Sequence, residues 1–146
     1  MGPPYAPTMT PGTAITLGSV NVEADDPAVL AGFWAELLGT TIAGQLEGPV
    51  FLAPRPGGGF PMFFQPRNTP RPEHQGQHLD LTVPWETRVA EVERAVALGA
   101  THRWDVLDEV PWVRWSTLAD PEGNLFCIAE HPPTPDRDEA PVTTTP

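Results

Sequence analysis

A short strand-like stretch, QHLDLTV at residues 77–83, carries side chains that could do chemistry together. In a β-strand, His78, Asp80 and Thr82 occupy alternate positions, so their side chains project from one face. A carboxylate beside an imidazole raises its basicity and fixes its tautomer, which is the usual arrangement of a general base. The spacing therefore favours His78 and Asp80 as an acid–base pair. The alternative is that His78 lines a pocket or the core while Asp80 binds neighbouring backbone.

Aromatic side chains recur on other strand-like stretches. Trp115 and Thr117 share one face of a predicted strand, which Trp112 begins, and Met62 and Phe64 share a face of the stretch PMFFQ. Indole and phenyl rings that line a pocket suit a flat, apolar or aromatic ligand. The alternative is that these side chains only pack the core.

The chain has a single cysteine, Cys127. One cysteine excludes an intramolecular disulfide and a zinc site built from several cysteines. A nucleophilic role for Cys127 needs an activating base, and the sequence shows none beside it. A buried free cysteine more often acts as a small hydrophobe, which is the interpretation we favour.

Size and charge exclude several classes of function. The chain has 146 residues, enough for one ordinary domain, and a formal net charge of -11. This acidity opposes approach to nucleic acids and to anionic membranes, so we expect neither as a partner. No apolar run approaches the ~18–20 residues that span a bilayer, and the first residues lack the pattern of a signal peptide. We therefore expect a cytoplasmic protein.

Proline-rich ends flank the part of the sequence that can form a core. Residues 1–12 and 132–146 are rich in proline, and the second segment also in threonine. They contain too little apolar surface to offset their ordering entropy, so we expect them to be extended or disordered. The sequence thus predicts a folded domain at about residues 13–131.

Two helices are predicted within this domain. In DPAVLAGFWAELLG, Asp26 is a good N-cap, Pro27 suits the first turn and Gly39 suits the end. Its apolar face consists of Leu30, Phe33, Trp34, Leu37 and Leu38. The second helix, in ETRVAEVERAVALGA, has a narrower apolar stripe made of Val89, Val92 and Val96. The predicted strands are residues 14–23, 50–53, 61–65, 77–83, 112–118 and 125–130.

The order of these elements indicates an internal duplication. One shift along the sequence aligns the two apolar helix faces, the strands before them and the Leu-Gly pairs that end them. Strand-like stretches follow each helix. The sequence therefore predicts two βαβββ modules, at about residues 13–68 and 74–131.

These segments resemble the vicinal oxygen chelate superfamily, specifically its glyoxalase-like branch. The resemblance rests on PAVLAGFWAELLG, HLDLTV, the helix ending VALGA, and WSTLADPEGNLFCIAE. It implies an α+β fold in which two βαβββ modules form a curled, cup-shaped mixed sheet around a small-molecule site, the glyoxalase/bleomycin resistance fold. It also implies frequent dimers, so we expect a homodimer. Whether the cup forms within one chain or across a swapped dimer stays open.

In metal-dependent members of this superfamily, the cup carries up to four metal ligands. Counting from the motifs places those positions at Ser19, Met62, His78 and Cys127. Mg²⁺ and Mn²⁺ prefer carboxylate and water oxygens, and none of the four supplies a carboxylate. We therefore expect no metal and no other cofactor. Asp80 or Glu130 could act as an unexpected ligand, although strand alternation turns Glu130 away from Cys127.

Together, the residues and the resemblance predict a protein that binds a small aromatic or apolar molecule in its cup without a catalytic metal, as resistance or sequestration proteins do. The expected ligand-binding residues are Ser19, Met62, Phe64, His78, Asp80, Trp112, Trp115, Thr117 and Cys127. Two enzymatic alternatives stay open. One is a metal-independent isomerase, lyase or cyclase with His78 and Asp80 as catalytic residues. The other is a metal-dependent lyase or dioxygenase. The sequence assigns no role to Trp85 or Trp104.

Overall fold

The computed structural model describes residues 14–55 and 57–133. The chain divides into two compact units, one up to Arg67 and one from Asn68. Each unit contains a βαβββ module, so the predicted α+β fold with a repeated module is confirmed. The predicted tails, residues 1–12 and 132–146, lie almost wholly outside the described residues.

The first unit is a four-stranded mixed sheet covered on one face by a helix. Its elements are β1 (Val20–Ala24), α1 (Pro27–Leu38), β2 (Ile42–Gln45), β3 (Val50–Leu52) and β4 (Met62–Pro66). The strand order is β1-β4-β3-β2, in which β1 and β4 are parallel and the other pairs antiparallel. The last strand of the module therefore lies in the interior of the sheet.

The second unit repeats this topology. Its elements are β5 (Leu79–Val83), α2 (Arg88–Leu98), β6 (Thr101–Val110), β7 (Val113–Ala119) and β8 (Leu125–Glu130). The order is β5-β8-β7-β6, again with the first and last strands parallel. The same unusual placement of the last strand in both units agrees with the duplication predicted from the sequence.

Helix α1 has the ends that the sequence predicts. The Asp26 side chain accepts a hydrogen bond from the Val29 backbone at 3.3 Å, and Pro27 is the first helical residue. Gly39 ends the helix in a left-handed conformation, with φ of 70°, which glycine adopts without steric cost. Phe33 and Trp34 are both buried and contact each other edge to face. They anchor α1 within the core of the first unit.

The two faces of the first sheet differ in a way that corrects one prediction. Met62 and Phe64 are 1% and 0% exposed, because they lie on the face that α1 covers. The prediction that they line a ligand pocket is therefore wrong, and they are core residues. Phe63 takes the opposite face of β4, where its ring stacks on Phe51 at 5.2 Å between centroids. A shift of one residue in the count along a strand moves a side chain to the other face.

Helix α2 buries a different stripe from the predicted one. Val89 and Val96 are 58% and 44% exposed, while Arg88, Val92 and Ala95 are buried. The predicted valine stripe is thus right at Val92 but wrong at Val89 and Val96. The Arg88 side chain instead turns toward the sheet and forms ion pairs there. Among the described residues, no helix is long and apolar enough to cross a membrane.

Candidate functional site

The face of the second sheet that α2 leaves open carries a cavity of about 510 Å³. All four strands and the residues next to their ends contribute side chains to it. The lining residues are His78, Asp80, Thr82, Trp104, Val106, Val113, Trp115, Thr117, Leu125, Cys127, Ala129 and His131. Five of the residues predicted from the sequence, namely His78, Asp80, Trp115, Thr117 and Cys127, therefore lie around one cavity.

Sheet register explains why residues far apart in sequence meet here. Asp80 pairs with Cys127, Cys127 pairs with Thr117, and Thr117 pairs with Trp104. Cross-strand neighbours on one face have Cβ atoms about 4.5–5.5 Å apart. The row thus places a carboxylate, a thiol, a hydroxyl and an indole side by side across the whole sheet.

His78 and Asp80 form the polar pair that the sequence indicates. The His78 Nε2 and Asp80 Oδ1 atoms are 3.2 Å apart. Their side chains are 51% and 70% exposed, so water reaches both groups. The carboxylate can orient the imidazole. A strong coupling between them would require a bound molecule that excludes this water.

Cys127 lies at the floor of the cavity as a buried thiol. Its Sγ atom is 3.4 Å from the Thr117 hydroxyl oxygen. Burial raises the pKa of Cys127, and the negative charge and hydrogen bond of Asp80 raise it further, whereas the Thr117 contact lowers it. This environment disfavours the thiolate, so Cys127 is not an activated nucleophile.

Three donors in the cavity are close enough to consider as metal ligands. One ligand atom from each of His78, Asp80 and Cys127 lies within 4.8 Å of the others. Ligand atoms around a tetrahedral zinc, with bonds of about 2.0–2.3 Å, are roughly 3.5 Å apart, which the exposed His78 and Asp80 side chains could reach by rotating. A nitrogen, oxygen and sulfur set fits a borderline ion such as Zn²⁺. It does not fit Mg²⁺ or Mn²⁺, which prefer several oxygens.

A buried ionic cluster supports the sheet from the α2 side. The Arg88 guanidinium contacts Glu130 at 3.2 Å, donates a hydrogen bond to Ser116 and lies 3.5 Å from Asp105. The Ser116 hydroxyl, together with His102 and Arg88, holds the pKa of Asp105 below its usual value. Glu130 faces away from Cys127, as strand alternation predicts, and this expectation is confirmed.

Arg114 extends this cluster and explains the position of Trp85. Its guanidinium is 3.2 Å from the Glu130 carboxylate and lies over the Trp85 ring at 4.2 Å from the centroid. Such a cation–π contact stabilises both side chains. Trp85 therefore belongs to the supporting cluster, whereas Trp104 lines the cavity.

The remaining predicted residues lie elsewhere. Ser19 is exposed and immediately precedes β1. Trp112 is 66% exposed at the turn between β6 and β7 and does not line this cavity, although its carbonyl oxygen is 3.1 Å from His131 Nδ1. Trp112 lies before the first residue of β7, and the prediction that it lines the ligand site is not met at this cavity.

Several lining residues were not predicted. They are Thr82, which was placed on the correct face but not in the site, and Trp104, Val106, Val113, Leu125, Ala129 and His131. Strand parity from Cys127 gives Leu125 and Ala129, so a signal for those two was present. Trp104 and Val106 lie on β6, a strand that the sequence does not predict.

The first sheet carries no comparable chemistry at the matching positions. Asn21, the second residue of β1, pairs with Phe63, whereas Asp80, the second residue of β5, pairs with Cys127. An amide and a phenyl ring thus replace the carboxylate and the thiol. Phe63, rather than Met62, occupies the position that corresponds to Cys127. The candidate site is therefore built from the second unit.

Solved structures with this fold come from several bacteria. An enzyme of the glyoxalase/bleomycin resistance protein/dioxygenase family from Burkholderia phytofirmans matches with a TM-score of 0.71 and 19% identity, covering 81% of this chain and 100% of its own. A glyoxalase-related enzyme from Fulvimarina pelagi matches with a TM-score of 0.65 and 20% identity, covering 83% and 93%. A fosfomycin resistance protein from Listeria monocytogenes matches with a TM-score of 0.67 and 15% identity, covering 81% and 94%.

With sequence identities this low, the TM-scores show that these proteins share a fold with the chain and no more. No match is found among curated proteins. The model of the glyoxalase-like domain matches residues 19–129, which is most of the chain and includes both modules. The chain therefore belongs to the glyoxalase-like domain family of the vicinal oxygen chelate superfamily.

Proposed function

We propose that the cavity of the second unit binds a flat, aromatic or apolar small molecule, and that the protein sequesters this molecule without turning it over. The observation that carries the proposal is the cavity itself, of about 510 Å³. Sites for small molecules usually span about 300–1,000 Å³ and combine apolar walls with a few polar groups. This cavity has that composition.

The walls offer ring faces to a ligand. Trp115 is half-buried and Trp104 is 51% exposed, so both indoles have surface left to cover. Covering aromatic surface with a stacked or edge-on ring is favourable by about 0.5–1.5 kcal/mol beyond the burial of area. The His78, Asp80 and Thr117 side chains at the same cavity would fix the orientation of a ligand through hydrogen bonds.

Sequestration is the simplest activity consistent with the side chains present. Burial raises the pKa of the Cys127 thiol and so disfavours a nucleophilic thiolate, and the polar pair that could act as acid and base is open to water. A fosfomycin resistance protein with the same fold lends support to a protective role. We propose that no metal is needed and that the protein acts as a homodimer. Native mass spectrometry of protein purified gently from its own cells would test the ligand, the metal and the dimer together.

A matched pair of tryptophan variants tests the binding site. We expect the uncharged probe N-phenyl-1-naphthylamine to bind the wild type, and Trp115→Ala to weaken binding about tenfold or more, because the indole forms a wall of the cavity. Trp112→Ala removes an indole outside the cavity and should leave the affinity unchanged. Trp115→Phe keeps a ring and guards against misfolding. Equal losses in the Trp115→Ala and Trp112→Ala variants would contradict the proposal, as would a wild type that does not bind the probe.

The 3.2 Å contact between His78 and Asp80 supports a second candidate function, acid–base catalysis without a metal. In this mechanism Asp80 orients the imidazole and His78 moves a proton to or from the bound molecule. Recovery of a chemically altered ligand after incubation would favour it over sequestration. His78→Ala should then lower turnover by about 10²-fold or more while binding changes much less.

The donor set His78, Asp80 and Cys127 supports a third candidate, a metal-dependent lyase. It gives no such support to a dioxygenase, because Zn²⁺ has no redox chemistry. A zinc ion held by these residues would act as a Lewis acid toward a bound carbonyl or water. A stoichiometric metal in the native mass spectrum would favour this function over the metal-free ones.

A further inference from the structure

A second cavity, of about 630 Å³, adjoins the main one. Trp104 and Leu125 line both cavities, so a single molecule could extend from one into the other. The second cavity differs in chemistry because the guanidinium groups of Arg71 and Arg103 contribute to its lining. A ligand that fills both would meet ring faces at one end and guanidinium N–H donors at the other.

Hydrogen bonds hold the walls of the second cavity in place. Arg71 donates one hydrogen bond to the Glu122 carbonyl oxygen and another, at 3.1 Å, to the Asn124 side chain. Gln75 donates to the Leu125 carbonyl oxygen at 2.9 Å and accepts from the Leu125 N–H at 2.8 Å. These contacts tie the segment before β5 to the turn before β8. A site with fixed walls loses less entropy when it binds a ligand.

The two arginines still have donors to offer. A guanidinium has five N–H donors, and Arg71 uses two of them in the contacts above. Arg103 is exposed, and within the described part of the chain no carboxylate lies at ion-pair distance from it. Glu73 and Glu122 also line the cavity, so their charges balance those of the arginines. Selection of an anion would therefore depend on direct, charge-assisted hydrogen bonds rather than on a long-range field.

We propose that Arg71 and Arg103 bind the anionic group of the same ligand whose ring lies in the main cavity. The ligand class is an aromatic or apolar organic acid, with a carboxylate, sulfonate or phosphonate near the Trp104 side of the ring. The inference rests on the proposed function, since it names the chemistry of the molecule that the main cavity takes.

Two fluorescent probes with the same aromatic body test the inference. 8-Anilinonaphthalene-1-sulfonate differs from N-phenyl-1-naphthylamine only by its sulfonate. We expect the wild type to bind the sulfonate about tenfold more tightly than the neutral probe at low ionic strength. Arg103→Gln should abolish this preference and leave the affinity for the neutral probe unchanged. Arg94→Gln, which makes the same charge change on α2, should keep the preference.

The outcomes distinguish anion binding by Arg71 and Arg103 from the proposed binding of an aromatic molecule in the main cavity. If the neutral probe binds in a Trp115-dependent way but the sulfonate binds no tighter, the inference is wrong and the proposed function stands. The same holds if Arg103→Gln and Arg94→Gln reduce the preference equally. If the neutral probe does not bind at all, the proposed function fails and the inference fails with it.

Discussion

Replacing Glu130 by alanine should destabilise the protein through the ionic cluster beneath the cavity. The Glu130 side chain is 3% exposed, and its carboxylate lies 3.2 Å from both the Arg88 and the Arg114 guanidinium groups. It also accepts a hydrogen bond from the Arg88 backbone at 3.3 Å. Without this carboxylate, the 8%-exposed Arg88 side chain keeps its charge but loses its closest counter-charge.

The size of the effect follows from how much of the cluster remains. Removing one partner of a buried ion pair costs about 3–5 kcal/mol. Arg114 is 37% exposed and can be solvated, and Asp105 still lies 3.5 Å from Arg88, so the lower end applies. We expect a loss of about 3 kcal/mol, which corresponds to a fall in melting temperature on the order of 10 °C for a domain of this size. Glu130→Gln keeps the volume and an acceptor and should lose less.

Urea unfolding followed by circular dichroism measures this loss, with Glu93→Ala as the control. Glu93 is exposed on α2, so its removal changes the net charge by the same amount with an expected effect within about 0.5 kcal/mol. A loss below about 1 kcal/mol for Glu130→Ala, or one equal to that of the control, would refute the reasoning. It would mean that Arg88 finds water or another partner once the carboxylate is gone.

Two further predictions concern the thiol and the faces of the first sheet. Because the Asp80 charge raises the pKa of Cys127, Asp80→Asn should move the pH profile of iodoacetamide alkylation to lower pH. Thr117→Val, which removes a contact that lowers this pKa, should move the profile to higher pH, and the reverse order would contradict the assignment. In the first unit, Phe64→Ala should cost about 3–5 kcal/mol in urea unfolding. Phe63→Ala should cost clearly less. Equal losses would contradict the assignment of Phe64, rather than Phe63, to the core.

The parts of the fold that the sequence predicts well are those with local signals. Helix α1 has its N-cap Asp26, its first-turn proline and its terminal Gly39 within one stretch of chain. Strand β8 and the turn before it are likewise marked, since the Asp120 carboxylate accepts hydrogen bonds from the Glu122 and Asn124 backbone. Each of these devices acts between neighbours in the sequence, so composition and spacing are enough to find them.

The edge strands β2 and β6 escaped prediction for a physical reason. All of β2 and most of β6 are exposed, so neither shows the alternation of apolar and polar residues that marks a half-buried strand. Their pairing is decided by a partner strand rather than by their own pattern. Because β6 was not predicted, its residue Trp104, which lines both cavities, was not predicted as a site residue either.

Other errors came from sequence patterns that are compatible with burial of either face of a strand or helix. The run Met62-Phe63-Phe64 is apolar on both faces of β4, so parity alone does not tell which side α1 covers. On α2, the valines give the stronger apolar stripe, but Arg88 is buried because Glu130 lies across from it, 42 positions along the chain. Such a pairing becomes visible only when β8 has its place in the sheet.

The strand order determines when the candidate site can form during synthesis of the chain. Strand β5 pairs only with β8 in the sheet, although α2, β6 and β7 lie between them in the chain. While the ribosome is still adding residues 84–124, Asp80 has no strand beside it, and Thr117 has no Cys127 to contact. Strand β5 therefore has no strand to pair with until β8 has been synthesised and takes its place between β5 and β7. A nascent chain that stops before Leu125 therefore contains both His78 and Asp80, but it lacks β8 and with it the Leu125, Cys127 and Ala129 side chains of the cavity.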